Sequence, residues 1–335
     1  MPNAKIYLEV INMAEKKYSA LFLLDILIKY SDEEHILTAK DLQKYMLEFY
    51  DLDLERRTIY SNLDILEQNH YVISRYEDNG KGYYLEERQF DKSEILLLCN
   101  AIHSSHFISS KQSDILIKKL LQTLSKYQQK EFRDNVYMPN PQKTPNLELM
   151  YTISTISEAI RDKKVLKFIY TKYNKEKELI PRREEAYYVE PRYIVYADNR
   201  PYLIATNAKH RESFTHYRLD RIKQAIITED KFPALPKESD AYEYARNKLF
   251  MFGGDTIPVT FKCEERIIDQ IIDIFGTDII IIPSKNNTFS ITINTSKQGA
   301  IFLAQEYMDA IEIVEPKELR KQFKEELNKA LKKYK

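Results

Sequence analysis

The stretch YYVEPRYIVYADNRPYLIATNAKHRESFTHYRLDRI, residues 187–222, decides the fold of the middle of the chain. Its short runs of β-branched and aromatic residues flank a polar turn at residues 197–200, which is the pattern of an antiparallel hairpin. Its second half places a serine, a histidine and two arginines within residues 213–221. Cations that recur beside aromatic rings suit a phosphate or nucleic-acid ligand. The stretch therefore predicts short strands that carry a site for an anion.

The same stretch resembles the WYL domain, the sensor module of a large family of bacterial transcription regulators. The resemblance rests on residues 189–191, 202–203 and 217–222, which read VEP, YL and YRLDRI. The tryptophan of the triplet that names the family is Pro201 here, and the chain contains no tryptophan. The resemblance implies that residues 161–232 form a sensor domain with the topology of a small SH3-like β-barrel.

The resemblance also implies a ligand site on Tyr202, Ser213, His216, Arg218 and Arg221. We add Arg192, because it stands beside Tyr193. In such a site the serine and histidine would donate hydrogen bonds, the arginines would hold phosphate, and tyrosines would stack on or position the ligand. A catalytic serine–histidine pair is disfavoured, because no third residue is placed to orient the histidine.

Composition excludes several classes of protein. The 335 residues, 43% hydrophobic and 30% charged, are enough for two to four globular domains. The two cysteines, Cys99 and Cys263, lie far apart, which excludes a disulfide framework and fits a reducing cytoplasm. No apolar run approaches the roughly 20 residues of a membrane span, and the N-terminus lacks the apolar core of a secretory signal. We therefore expect a cytoplasmic protein without a membrane segment.

The net charge of zero conceals an uneven distribution along the chain. Residues 1–90 carry 11 Lys+Arg against 17 Asp+Glu, a net charge of −6, whereas residues 161–222 carry 15 against 9, a net charge of +6. The basic sensor segment favours an anionic effector. The acidic N-terminal segment counts against DNA binding there, unless its positive charges cluster on one face.

Residues 1–90 nevertheless have the pattern of a winged helix-turn-helix. Three segments with apolar residues at helical spacing follow one another, and Thr38 is placed to cap the second. Residues 71–87 then predict two strands joined by a turn that contains Asn79-Gly80, a strong hairpin signal. Three helices followed by a hairpin predict a DNA-binding head.

The third of these helices is similar to the recognition helix of WYL regulators, in which Arg-Thr-Ile-x-x-x-Leu is the usual core. Here residues 57–59 and Leu63 match that core, and Ser61-Asn62 stands where the family often has Arg-Asp. A recognition helix presents its first turns to base edges, where arginine can reach guanine or phosphate and asparagine can pair with adenine. The predicted DNA-binding side chains are Arg56, Arg57, Thr58, Tyr60, Ser61, Asn62 and Lys81. A winged helix that only mediates protein contacts is the alternative.

Two further regions complete the predicted order of domains. Residues 91–160 are predicted to be a helical linker, interrupted by prolines, that makes a dimer or a lever. Cys99 and two histidines share one helical face there, but without a neighbouring carboxylate or second ligand pair they predict packing, so we expect neither metal nor cofactor. Residues 239–335, which open with a predicted linker helix at 239–252, alternate strands and helices as a compact α/β sandwich does. They resemble the C-terminal extension that often follows WYL domains.

Together these patterns predict a multidomain α+β protein that is not an enzyme; no Walker loop, G-x-S-x-G or H-E-x-x-H motif occurs. We expect a homodimeric transcription regulator that binds an inverted-repeat operator in double-stranded DNA. Its sensor would bind an anionic effector, single-stranded nucleic acid or a nucleotide, and change operator affinity. A nucleic-acid-processing enzyme and a protein-binding scaffold in a defence or repair system are the alternatives. Both repressor and activator remain open.

Overall fold

The structure is a computed structural model, and it describes residues 18–135, 142–197, 199–234 and 255–334. The chain divides into two compact units, Met1–Thr144 and Pro145–Lys335. In its described residues the first unit is helical apart from two short strands, and the second contains antiparallel sheets. The described part is therefore a mixed α+β fold. The predicted linker helix at 239–252 and the prolines at 139 and 141 lie outside the described residues.

The helices and strands of the first unit are α1 (Ser19–Tyr30), α2 (Ala39–Tyr50), α3 (Arg56–Gln68), β1 (Ile73–Ser74), α4 (Tyr76–Asn79), β2 (Tyr84–Leu85), α5 (Lys92–Ser104), α6 (Ser110–Leu121) and α7 (Lys126–Asn135). Helix α2 begins at the predicted cap, where Thr38 Oγ1 accepts the N–H of Asp41 and the Asp41 carboxylate accepts the N–H of Thr38. The first three helices share one core, whose fully buried side chains include Leu23, Leu27, Leu42, Met46, Ile59 and Leu63.

The connection between β1 and β2 differs from the predicted hairpin turn. The two strands pair antiparallel, but the helical turn α4 lies between them and ends at Gly80, which has a φ of 69°. Asn79 folds the connection with its side chain: Oδ1 accepts the N–H groups of Lys81 and Gly82, and Nδ2 donates to Ser74 Oγ. The Asn-Gly pair thus closes a longer loop, because the asparagine amide replaces the backbone bonds of a two-residue turn.

The elements of residues 149–231 are α8 (Leu149–Asp162), β3 (Lys164–Tyr173), β4 (Leu179–Pro181), β5 (Tyr187–Ala197), β6 (Arg200–Asn207), β7 (His210–Arg218) and β8 (Ile222–Lys231). The strands form an antiparallel sheet in the order β4-β3-β5-β6-β7, and β8 pairs with β3. Helix α8 packs against β3, β5 and β8. Its buried residues are Leu149, Thr152, Thr155, Ile156 and Ala159, the stripe that helical periodicity produces. Pro201 lies in β6 opposite Tyr196 of β5.

The C-terminal elements are β9 (Thr256–Glu264), α9 (Ile268–Phe275), β10 (Ile281–Ser284), β11 (Thr288–Ser296), α10 (Lys297–Glu306), β12 (Ile311–Glu315) and α11 (Lys317–Leu331). Their strands pair antiparallel in the order β10-β11-β9-β12, which with the β-α-β-β-α-β succession is the ferredoxin-like arrangement. Alternate strand residues such as Phe261 and Ile291 share a core with Ile271, Leu303 and Leu319 of the helices. The alternation of strands and helices expected from the sequence is present.

Gly82 provides a test of how the β1–β2 segment is attached to the helices of the first unit. A Cβ added there would lie 2.3 Å from the carbonyl oxygen of Leu37 and 2.8 Å from its carbon, both backbone atoms. The neighbouring Tyr83 exchanges two hydrogen bonds with Leu37, of 2.7 and 2.9 Å, so neither backbone can retreat without opening them. We expect Gly82→Ala to destabilise the first unit by roughly 1–3 kcal/mol, as overpacking against fixed atoms does.

The measurement is urea unfolding of the full chain, followed by tyrosine fluorescence. Gly80→Ala is the matched control: nothing lies within 4 Å of its added Cβ, and only its φ of 69° is unfavourable. That backbone conformation costs an L-residue about 1–2 kcal/mol. If the two variants lose the same free energy of unfolding, contact with Leu37 does not constrain the β1–β2 segment.

Candidate functional site

The residues between β7 and β8 bring two arginines to one buried carboxylate. Leu219–Arg221 form a 3-10 turn in which Leu219 and Asp220 are buried. Arg218 donates to the Asp220 carboxylate through Nε at 3.0 Å and Nη2 at 2.6 Å, a bidentate pair. Arg221 Nε lies 3.8 Å from the same carboxylate. The three side chains therefore carry a net charge of +1, held in a largely buried position.

Arg221 is the less compensated of the two cations. Its guanidinium lies 4.1 Å from the centre of the Tyr173 ring, and its Nη1 is buried without a hydrogen-bond partner among the described residues. Burial, and then repulsion from Arg218, lower the pKa of Arg221. Burial also acts to lower the pKa of Arg218, but its hydrogen bonds to Asp220 raise that pKa above its ordinary value. An oxyanion is the ligand that would satisfy the remaining donor of Arg221.

A cluster of tyrosine rings from β3, β5 and β7 lies next to Arg218 and contacts its backbone. The Arg218 N–H donates to Tyr170 Oη at 3.1 Å, and the rings of Tyr170 and Tyr217 meet edge-to-face with centroids 5.2 Å apart. Tyr187 lies against Tyr217 at 5.6 Å and carries the Arg183 guanidinium 3.6 Å above its ring. Burial raises the pKa of Tyr170 and of Tyr217, so both hydroxyls stay neutral near pH 7.

Sequence reasoning missed four contributors to this site, namely Tyr170, Tyr173, Arg183 and Asp220. A signal existed for some of them. Residues 170–173 read YTKY at the end of a predicted strand, and residues 182–183 are paired arginines. Asp220 lies inside the motif used to recognise the domain, but the sequence does not reveal that its carboxylate is buried between two cations.

The other predicted ligand residues occupy three different surroundings. Tyr202 lies opposite Arg218 on the neighbouring strand, and His216 lies opposite Ile204, so strand alternation puts Tyr202, His216 and Arg218 on one face. Tyr202 is buried and packs in a small cluster with Ile204. Ser213 is exposed and lies between His210 and Thr215, where the register of β7 against β6 shifts. Strand alternation therefore does not assign Ser213 to either face, and its place at the arginine pair stays a prediction.

Arg192 is not available to a ligand, contrary to the prediction. It is 6% exposed, and its guanidinium donates to Glu190 at 2.6 Å, to Thr206 Oγ1 at 2.9 Å and to the Pro233 carbonyl at 2.6 Å. The register of β5 against β6 shifts between Pro191 and Tyr193, so a bulge lies at Arg192. A bulge re-aims the side chain of the extra residue, and here the guanidinium points inward. Arg192 is a structural tie across the sheet.

The predicted DNA-binding side chains of the head separate into exposed and buried ones. Those exposed are Arg56, Arg57, Tyr60, Ser61 and Lys81, and Thr58 is half-buried. Asn62 is 5% exposed; its Nδ2 donates to Ser19 Oγ at 2.9 Å, and its Oδ1 accepts from the same hydroxyl at 3.2 Å. The prediction that Asn62 pairs with adenine is therefore wrong, because Asn62 continues the buried stripe of α3.

The acidic character of the head does not extend to the first turn of α3. Arg75 donates to Glu67 through Nε at 2.8 Å and Nη2 at 2.7 Å, and it also pairs with Asp64. These bonds compensate acidic residues in the second half of the helix. Arg56 and Arg57 in its first turn have no ion-pair partner within the described ranges. The exposed first turn of α3 is thus the cationic end of this helix.

Two general properties of the described residues bear on function. None of their helices combines the length and apolar character that crossing a membrane requires. Nowhere among them do three or more His, Cys, Asp or Glu side chains converge as metal ligands. Cys99 is buried, and the His106 ring is occupied, with Nδ1 2.7 Å from the carbonyl oxygen of Gln142.

Comparison with known proteins identifies the middle of the chain. The family model described as "WYL domain" matches residues 151–227, which confirms the resemblance for that segment. Among solved structures, proteasome accessory factor B/C (PafBC) of Arthrobacter aurescens is 15% identical with a TM-score of 0.27, covering 95% of this chain and 48% of its own. A structure described as a CRISPR Cas-related protein is 14% identical with a TM-score of 0.37, covering 94% and 86%. The chain thus spans about half the length of PafBC. No curated protein matches it.

The buried network around Glu190 makes a pH-dependent contribution to stability. Glu190 is 2% exposed and accepts hydrogen bonds from Arg192, Thr206 and Arg211. Burial acts to raise the pKa of Glu190, but the bonds from Arg211 and Thr206 and the charge of Arg192 outweigh it and lower that pKa below 4.5. A carboxyl with a depressed pKa in the folded state contributes stability above its unfolded pKa, and the contribution is lost as pH falls through the folded value.

We expect Glu190→Gln to destabilise the chain at pH 7 by about 3 kcal/mol, because it leaves Arg192 buried without its counter-charge. The difference from the natural chain should shrink as pH falls through the depressed pKa that Glu190 has in the folded chain, because the natural Glu190 becomes protonated there too. Urea unfolding across that pH range measures both effects. Glu264→Gln, which breaks an exposed pair with Arg266, is the control and should change little. A pH-independent difference would show that Glu190 is not the titrating group.

Proposed function

We propose that this protein is a transcription regulator rather than an enzyme: its head binds an operator in double-stranded DNA, and its WYL domain binds an anionic ligand that changes operator affinity. One observation carries the proposal. Arg221, within the matched WYL domain, keeps a buried guanidinium donor without a partner among the described residues, beside an aromatic ring. A buried unsatisfied donor on a charged group costs free energy, which a bound oxyanion would recover.

The chemistry of the arginine pair favours a phosphate of nucleic acid or a nucleotide. Asp220 neutralises one of the two guanidinium groups, and the remaining charge of +1 matches one phosphodiester. In our proposal Arg221 holds a phosphate oxygen, and Arg218 supports it while staying bound to Asp220. His216, on the same strand face as Arg218, extends the surface over which the ligand lies, and the buried Tyr202, opposite Arg218, helps to position that face. Ser213 stays a predicted ligand residue, and Arg192 is excluded from the site.

We infer that the head is a winged helix-turn-helix in which α3 is the recognition helix and the β1–β2 segment is the wing. The exposed side chains at the start of α3 support this assignment, since a recognition helix uses its first turns. The proposed DNA contacts are Arg56, Arg57, Thr58, Tyr60, Ser61 and Lys81. We further infer a homodimer that reads an inverted repeat, a helical linker that moves, and an SH3-like barrel for the sensor sheet.

The ligand site is tested by Arg221→Ala. Binding of a fluorescent oligothymidylate should weaken roughly 10- to 100-fold, because a hydrogen bond to a charged group contributes about 1.5–3 kcal/mol. Fluorescence anisotropy at fixed salt measures the affinity, and unlabelled thymidine monophosphate as competitor distinguishes a polymer from a nucleotide. Arg266→Ala removes one exposed, ion-paired arginine outside the sensor and is the matched control. Equal affinity for Arg221→Ala and the natural chain would refute the site.

The head is tested by selecting operator sequences from a random duplex pool and then measuring Arg57→Ala on the selected sequence. We expect weaker binding, and a log–log salt dependence reduced by about one, because the variant loses one phosphate or base contact. Lys92→Ala is the control, since Lys92 lies outside the head and pairs with Glu131. If no sequence is enriched, or if Arg57→Ala binds as tightly as the natural chain, the head does not read DNA as proposed.

A further inference from the structure

Residues 142–144 are anchored to the end of helix α5. Thr144 donates its N–H to the carbonyl of His106 at 2.9 Å, and the ring of His106 lies 2.7 Å from the carbonyl oxygen of Gln142. Lys143 Nζ donates to the carbonyls of Ile102 and Ser105, at 3.2 and 2.9 Å. These carbonyls belong to the last turn of α5 and its cap, where a cation satisfies orphan acceptors and complements the helix dipole. Hydrogen bonds from both its backbone and the Lys143 side chain therefore attach this short segment to the end of α5.

Two residues further on, Asn146 is anchored to the anion site. It is 1% exposed, and its Nδ2 donates to the carbonyls of Asp220 at 3.0 Å and Ile222 at 2.9 Å. These two carbonyls flank Arg221 on either side. The Asn146 Oδ1 in turn accepts the N–H of Glu148 at 2.8 Å, just before α8 begins. A single buried amide thus fixes the backbone that carries the unsatisfied guanidinium.

Glu148 adds a second tie between the start of α8 and the residues that follow the site. Its carboxylate accepts the N–H of Gln224 at 2.7 Å, and Gln224 has a φ of 52°, a left-handed conformation that is unfavourable for a residue with a side chain. The bonds from Asn146 and Glu148 together hold residues 220–224 in a defined backbone path. Thr171 Oγ1 adds a bond to the Arg221 carbonyl at 2.8 Å from β3.

The residue between the two anchors is Pro145, and it makes the connection stiff. Proline fixes its own φ near −65°, and it restricts the preceding residue, here Thr144, to extended conformations. The two anchored residues, Thr144 and Asn146, are therefore joined by a connection with few free backbone dihedrals and a span of at most about 3.5 Å per residue. Such a connection transmits a displacement better than a flexible one does, as long as the hydrogen bonds described above hold.

We propose that Asn146 is a positioning residue of the anion site, and that the Thr144-Pro145-Asn146 link carries the state of Arg221 to the end of helix α5. This inference rests on the proposed function and deepens it, since it names the residues through which ligand binding would affect structure outside the WYL domain. When an oxyanion binds Arg221 and shifts its backbone, the carbonyl groups of residues 220 and 222 shift too, and Asn146, which donates to both, moves with them. The stiff link then biases the position of residues 142–144 against α5.

The discriminating variant is Pro145→Gly. Pro145 is exposed, so the substitution softens the link and leaves the anchoring side chains of Lys143 and Asn146 intact. The readout is the ratio of operator affinities with and without saturating oligothymidylate, a coupling that is typically about 5- to 150-fold in allosteric proteins. We expect the ratio to fall toward one in Pro145→Gly, while the affinity for oligothymidylate and the ligand-free operator affinity stay unchanged. Pro283→Gly, at an exposed proline of β10, is the control and should keep the full ratio.

Asn146→Ala supplies a second readout with a different expected pattern. It should weaken oligothymidylate binding as well as abolish the ratio, because it releases the backbone around Arg221. Hydrogen exchange at the C-terminal turn of α5 should respond to oligothymidylate in the natural chain and not in either variant. If oligothymidylate changes the operator affinity of the natural chain and of Pro145→Gly by the same factor, the proposed link is wrong and the proposed function stands. A natural chain whose operator affinity ignores oligothymidylate would overturn both.

Discussion

The buried carboxylate of Asp220 is the constraint on which the arrangement of arginines in the WYL domain depends. Two guanidinium groups brought this close, largely out of water, would repel each other strongly, and the carboxylate between them makes the arrangement tolerable. The carboxylate compensates the two arginines unequally. Arg218 forms two hydrogen bonds with it, whereas Arg221 Nε lies 3.8 Å from it and Arg221 Nη1 has no hydrogen-bond partner among the described residues. Folding therefore leaves one buried guanidinium nitrogen of Arg221 without a hydrogen-bond partner among the described residues, and the proposed anion site rests on that nitrogen.

Comparison of Arg192 with Arg221 shows why residue type alone does not define such a site. Both arginines are largely buried and both lie against an aromatic ring, Phe232 for the first and Tyr173 for the second. Arg192 finds a carboxylate, a hydroxyl and a carbonyl, so all three nitrogens of its guanidinium donate. The difference arises from a bulge in β5 and from the Pro233 carbonyl, which is distant in sequence. Neither is visible in the local pattern, so the sequence could not separate the two.

Local patterns were sufficient for the elements and insufficient for several side chains. Periodicity and capping predicted α1 to α3 and the alternation after β9, because backbone hydrogen bonding and apolar spacing act over a few residues. The burial of Asn62 was also within reach, since residues 59, 62, 63 and 66 form one helical stripe. The loop that Asn79 closes could not be predicted. Asn-Gly is also the signal of a two-residue turn, and the sequence does not show that the asparagine amide forms the closing hydrogen bonds. Tyr173 gains its role from a distant residue, Arg221, and spacing along the chain does not encode that contact. Asp220 and Arg183 contact residues at most four positions away, but the pattern does not show that the Asp220 carboxylate is buried.

The distribution of charge in the head bears on how a sensor could control it. Residues 1–90 carry a net charge of −6, so long-range electrostatics oppose the approach of DNA. Arg75 pairs with Asp64 and Glu67 and partly compensates the acidic second half of α3, whereas Arg56 and Arg57 make its first turn cationic at short range. Under the proposed function such a head binds an operator with a small surplus of free energy. A small surplus is what a coupling of about 1–3 kcal/mol can reverse, whereas a strongly basic head would stay bound whatever the sensor did. The acidity that argues against DNA binding in the sequence is, on this view, a condition for regulating it.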